Sequence, residues 1–142
     1  NLANCASPRD SKEKPIILRI SASDHKDGGI NLEESIKIIN SIREFIDIVH
    51  VSSGGIETVP INLFPGYQVS FAEEIKKECN LPTVAVGLIK ELDQVEELLS
   101  NERADLVALG RELLRNPNWV LNNAYRNKID FKFPHQYERA YR

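Results

Sequence analysis

The sequence predicts an α/β fold built on a parallel sheet, on three observations. Four short β-rich runs recur along the chain, "PIILRIS", "IDIVHVSS", "PTVAVG" and "ADLVALG". Each is followed by a stretch whose apolar residues recur at helical spacing. The runs read as near-continuous Val, Ile and Leu rather than as alternating apolar and polar positions, which is the pattern of strands covered on both faces by crossover helices.

Taken in order, the first run leads into "NLEES", where Asn31 can cap the free amides of a helix and Glu34, three residues on, closes a capping box. Ile36, Ile39, Arg43 and Ile46 mark that helix. Phe71, Ile75 and Cys79 mark the second, and Leu92, Val95, Leu98 and Leu99 the third. The fourth run opens onto a short helix, "RELLRN", and then onto another around "NWVLNNAYRN", whose first turn Pro117 suits. Residues 1–14 carry Pro, Ser and mixed charge without a period and read as a loose lead-in. Residues 15–142 read as one unit with no second domain.

Composition limits the function classes. The chain has 142 residues, 42% hydrophobic and 27% charged, enough for one core. With 18 basic and 21 acidic side chains its net charge is −3, so no basic field attracts nucleic acid or an anionic membrane, and a small-molecule ligand is the expected partner. No run is long and apolar enough to span a bilayer and the start is too polar for a secretory signal, so the expected location is the cytoplasm. Cys5 and Cys79 lie far apart without C-x-x-C spacing and read as reduced structural thiols; no metal site is expected. The chain contains no methionine and so reads as a mature product, a trimmed chain or a fragment.

In parallel α/β folds the chemistry sits at the carboxyl ends of the strands. Gly87 follows the third run, and Gly110-Arg111 follows the fourth and opens a helix. A glycine there lets a phosphate approach the backbone, and Arg111 adds a charge-assisted bond. A lone glycine reads first as a plain tight turn, but two at successive strand ends, with a cation in a first helical turn that opposes the helix dipole and calls for an anion, point to a phosphate site. Arg19 lies inside the apolar run "IILRIS", so it is expected to be buried and to need an anion or dipole. The "SSGG" after the second run begins a long irregular segment that is either a turn-rich connector or a ligand-facing loop. His50, inside "IVHVS", reads as a core imidazole bonded to a carbonyl. Asp24 and His25 lack the further ligands a metal would need.

Six of these segments in order, "ILRISASD", "SSGG", "FPGYQVSFAEEIKKE", "AVGLI", "ADLVALGRELLRNP" and "QYERAY", closely resemble the carboxyl-terminal half of the Old Yellow Enzyme family, in its bacterial NADPH dehydrogenase or ene-reductase branch. The resemblance implies four βα units of a (β/α)8 TIM barrel. It also implies FMN chemistry in which NADPH or NADH reduces the flavin, which passes a hydride to an activated alkene such as an enone. It makes Arg19 the catalytic arginine at the flavin's N1 and C2 carbonyl edge. Gly87, Gly110 and Arg111 become phosphate contacts, and Ser53 and Gly54 loop residues near the cofactor. Arg139 of "QYERAY" is implied to reach the substrate pocket of a neighbouring subunit in a homo-oligomer. Four units are half of a barrel, so the missing amino-terminal half or a second copy is expected to complete the sheet, and the chain alone to be inactive. The alternatives are a non-catalytic FMN- or phosphate-binding half-barrel and an oligomeric fragment.

Overall fold

A computed structural model describes residues 14–55 and 58–141. The expected lead-in therefore lies outside the described residues except for Lys14, as does Cys5. The described chain forms two compact units, residues up to Ala108 and residues from Leu109 onward.

The first unit holds a four-stranded, all-parallel sheet in the order β1-β2-β3-β4. The strands are β1 (Ile17–Ser21), β2 (Ile48–Ser52), β3 (Thr83–Ala85) and β4 (Leu106–Val107), and between them run α1 (Leu32–Ser41), α2 (Val69–Cys79) and α3 (Leu92–Ser100). Consecutive strands pairing in parallel through helical crossovers is the layout of one half of a (β/α)8 barrel. The capping box of α1 is formed as the sequence suggests: the Glu34 amide donates to Asn31 Oδ1 at 3.0 Å and the Asn31 amide to Glu34 Oε2 at 3.2 Å. This helix ends at Ser41, earlier than the apolar spacing implied, and Arg43 falls in a separate 3-10 turn, Arg43–Phe45. Asn80, in left-handed conformation, stops α2.

Two aspartates fix the sheet's amino-terminal rim by the same device. Asp47, just before β2, accepts the Ile16 amide at 2.8 Å, while its own amide donates to the Ile16 carbonyl at 3.0 Å. Asp105, just before β4, accepts the Thr83 amide at 2.9 Å and its amide donates to the Thr83 carbonyl at 3.0 Å. Each acid thus satisfies an amide at the entry to the preceding strand, Ile16 just before β1 and Thr83 at the start of β3, and sets the register of the pair.

Pleating sends alternate residues to opposite faces. Val49, Val51, Thr83 and Ala85 are fully buried, as are Ile39 of α1 and Ile75 and Cys79 of α2, the helix that packs on β2 and β3. Burial pushes the Cys79 thiol above its ordinary range, which leaves it protonated and inert. The other face is a correction to the expectation of strands covered on both sides: Ile17 is 53% and Leu106 49% exposed. The reason is physical. In a barrel that face is covered by strands from across the interior, and four strands do not supply them.

The second unit contains α4 (Arg111–Arg115) and α5 (Trp119–Arg126). Pro117 stands just outside α5, whose cap position is Asn118, so it precedes the first turn instead of occupying it. Among the described residues no helix is long and apolar enough to cross a membrane.

Candidate functional site

Arg19, Ser53, Gly54 and Gly87 belong to the first unit, and Gly110, Arg111 and Arg139 to the second. Arg19, at the centre of β1, is exposed, which corrects the expectation of a buried cation. An apolar run shows that a strand has a core face, but not whether its other face is covered. Among the described residues Arg19 forms no ion pair. Its register partner is His50 of β2. The Nε2 of His50 is buried without a hydrogen-bond partner, so the expected carbonyl bond is not made there. Burial and then the Arg19 charge push its pKa below the ordinary 6.5, and the imidazole is neutral at neutral pH.

The carboxyl ends of β1 and β2 are tied by a polar web that the sequence did not reveal. Ser53, 8% exposed, has its hydroxyl 2.9 Å from His25 Nε2. Gln68, immediately before α2 and 3% exposed, donates its Nε2 to Ser53 Oγ at 3.0 Å and to the Ser53 carbonyl at 3.2 Å. Ser21 Oγ donates to the Gly54 carbonyl at 2.8 Å, and the Gly54 amide to the Ser23 carbonyl at 2.7 Å. The Ser53 hydroxyl is therefore engaged within the protein, and its part in this site is to hold the loop.

Two glycines are required by geometry. Gly54 has φ +69°, and a Cβ there would lie 2.7 Å from Ile61 Cδ1. Gly87 has φ +129°, a Cβ would sit 3.2 Å from the Gln68 amide nitrogen, and its carbonyl accepts the Gly66 amide at 2.6 Å. Gln68 thus links Gly87 to Ser53, and the strand-end residues of the first unit form one connected rim.

In the second unit the backbone of Gly110 is open: a Cβ there would meet nothing within 4 Å. Arg111, the first residue of α4, is exposed and, among the described residues, has no acidic partner, whereas Arg115 at the other end of the helix binds Glu112 at 2.9 Å. An unpaired cation beside an approachable backbone suits an anion such as a phosphate. The tail up to Tyr141 is packed on earlier residues of the same unit. Tyr141 stacks on Phe133 with centroids 4.6 Å apart, meets the edge of Tyr125 at 5.6 Å, and donates its hydroxyl to Asn122 Oδ1 at 2.9 Å. This clamp fixes the 3-10 turn Glu138–Ala140 and with it the exposed Arg139.

The missed residues, His25, Gln68, Asn122 and Tyr141, act through contacts between distant segments. Only the serine pair before "GG" hinted at the polar web. Two surface hollows, one lined by Phe64, Val69 and Leu98 and one by Lys76 and Asp105, are built from residues other than the candidates.

Comparison with known proteins gives this geometry a context. The model of the NADH:flavin oxidoreductase / NADH oxidase family matches residues 8–128. An NADPH dehydrogenase of Clostridium acetobutylicum is 59% identical over 131 residues, covering 92% of this chain and 39% of that protein. An NADPH dehydrogenase of Geobacillus thermodenitrificans is 45% identical over 94% of this chain and 40% of its own length. One from Listeria monocytogenes is 43% identical over 90% and 38%. The chain thus spans about two fifths of the length of these relatives. Among solved structures, histamine dehydrogenase from Rhizobium superimposes with a TM-score of 0.67 at 16% identity, covering 81% of this chain and 17% of that one, a likeness of fold.

Proposed function

The chain belongs to the NADH:flavin oxidoreductase / NADH oxidase family, and from that premise we propose that it is the carboxyl-terminal portion of an FMN-dependent NAD(P)H dehydrogenase of the Old Yellow Enzyme type. The observation that carries this reading is the set of glycines and of arginines without an acidic partner among the described residues, on and after successive strands of a parallel sheet and inside the segment the family model matches. When bound, FMN would supply hydride transfer between NADPH or NADH and an activated alkene such as an enone.

The residues present fit that group. Arg19, exposed on the sheet without an acidic partner among the described residues, would place its guanidinium at the negative edge of the ring. Gly87 would bring its amide to the phosphate, and Gly110 its open backbone. Arg111 would add a charged, directional bond. Ser53 and Gly54, fixed by His25, Gln68 and Ser21, would hold the loop beside the cofactor. Arg139, on its clamped turn, would project into the substrate pocket of a neighbouring subunit in a homo-oligomer. The missing amino-terminal half, or a second copy, would cover the open sheet face and complete the pocket. A cytoplasmic location and a small-molecule acceptor suit this chemistry.

The test is a titration with FMN and riboflavin, which differ by the phosphate. Arg111→Ala should weaken FMN roughly tenfold or more, the effect of losing a charged hydrogen bond of about 1.5–3 kcal/mol, and leave riboflavin nearly unchanged. Equal losses for both would place Arg111 away from the phosphate. A chain that stays colourless with added FMN would favour the oligomeric-fragment reading. Enone reduction by the 142-residue chain alone would overturn the requirement for a completing half.

A further inference from the structure

Along the open face of the sheet, register places Arg19 beside His50, His50 beside Val84, and Val84 beside Leu106. The rows on either side are Ile17 with Ile48 and Ser21 with Ser52. None of these positions carries a carboxylate. Neighbouring strands lie about 4.8 Å apart, so the side chain at position 50 is the cross-strand group best placed to pair with the guanidinium. An acid there would form an ion pair with Arg19 and cancel most of its field. An imidazole held neutral does not. His50 takes its other strand neighbour from an apolar valine, and Arg19 is the charged group to which its titration responds.

We infer that His50 is a positioning residue for the flavin chemistry: as a neutral cross-strand neighbour it leaves the Arg19 guanidinium without a counter-charge, so that its full positive charge faces the ring edge. This rests on the flavin reading above. His50 acts through Arg19 and needs no contact with the cofactor.

The decisive measurement is the midpoint potential of the flavin in the loaded enzyme. His50→Asp should move it to a more negative value, in the same direction as Arg19→Gln, because negative charge gained at the ring edge on reduction loses its cation. The shift should correspond to a fall on the order of tenfold or more in the preference for reduced over oxidised flavin. His50→Asn, neutral like the native imidazole, should keep the potential near the wild-type value. In the Arg19→Gln background His50→Asp should add little. His50→Glu repeats the comparison should aspartate disturb the strand. An unchanged potential in both acidic variants, or full additivity with Arg19→Gln, would overturn the inference.

A second arm needs no cofactor. The His50 imidazole titration, followed by NMR in the 142-residue chain, should move to higher pH in Arg19→Gln. An unmoved titration would show the two groups uncoupled and overturn the proposal. Failure of the assembled enzyme to bind any flavin would overturn the flavin reading and this inference together, whereas a bound flavin indifferent to position 50 would overturn the inference alone.

Discussion

The two faces of the sheet are built from neighbouring residues of the same strands, yet they meet opposite fates. On one, Val49, Val51, Thr83 and Ala85 are fully buried under helices. On the other, Ile17 and Leu106 remain about half exposed and Arg19 stands without an ion pair among the described residues. The difference separates stability from chemistry. The covered face supplies the hydrophobic free energy that holds the unit together, and the open face carries the cation, the imidazole and the apolar surface that a completing segment and a ligand would use.

Truncating one residue on each face sharpens that contrast most. Ile75→Ala, beneath the sheet and fully buried, should cost about 2–5 kcal/mol in denaturant unfolding. Leu106→Ala, 49% exposed, should cost well under half as much in the 142-residue chain. Assembly with a completing half would break the contrast, since Leu106 would then be buried and its truncation expensive. Comparable costs for the two variants in the isolated chain would mean that the open face is already covered.

A smaller effect is expected at the sheet's rim, where both faces share a register. Asp105→Ala removes the acceptor of the Thr83 amide and the partner of Lys76, 3.0 Å away. A loss of about 1–3 kcal/mol should follow, with amide exchange accelerated in β3 and β4 more than in β1. Uniform acceleration across all four strands would deny the local register role.

The smallest effect belongs to the outer surface of the helices. Glu73 binds Lys77 at 2.7 Å and Arg103 at 2.9 Å, and these bonds, Lys77's first, hold its carboxyl below the ordinary 4.5. A carboxyl whose pKa is lowered on folding contributes stability that is complete above its unfolded value and is lost as pH falls through its folded one. Glu73→Gln should therefore cost at most about 1 kcal/mol at neutral pH and nothing once both forms are protonated. Stability curves of the two proteins should converge as pH falls from 4.5 through the lower folded value of the Glu73 carboxyl. A constant gap across that range would assign the loss to packing.

Much of this fold was legible in the sequence because it is written locally. Four β-rich runs, three helical spacings and the Asn31–Glu34 box all depend on residues within a few positions of one another, and all appear in the structure, although the first helix stops at Ser41, short of the Arg43 and Ile46 that its spacing included. The coverage of a face is not local. Nothing in "IILRIS" distinguishes a strand packed on both sides from one packed on a single side, and so Arg19 was expected to be buried. The polar web of His25, Ser53 and Gln68 joins three segments, and the Tyr141 clamp joins the tail to α5, so neither leaves a periodic trace. The glycines were legible as sites of close approach, but what approaches Gly87 within the protein is the turn before α2.

The strict order β1-β2-β3-β4 also governs how the molecule can form. Every pairing joins strands adjacent in the chain, so each closure spans only roughly two to three dozen residues and its entropic cost hardly changes from one step to the next. Such a sheet can grow by accretion, each strand docking beside its predecessor as it leaves the ribosome, with Asp47 and then Asp105 setting the register on arrival. The two-residue β4 is the last strand of the described sheet and gains the least from pairing. Fraying should therefore begin there, and a chain interrupted during synthesis would retain its β1-β2 pair.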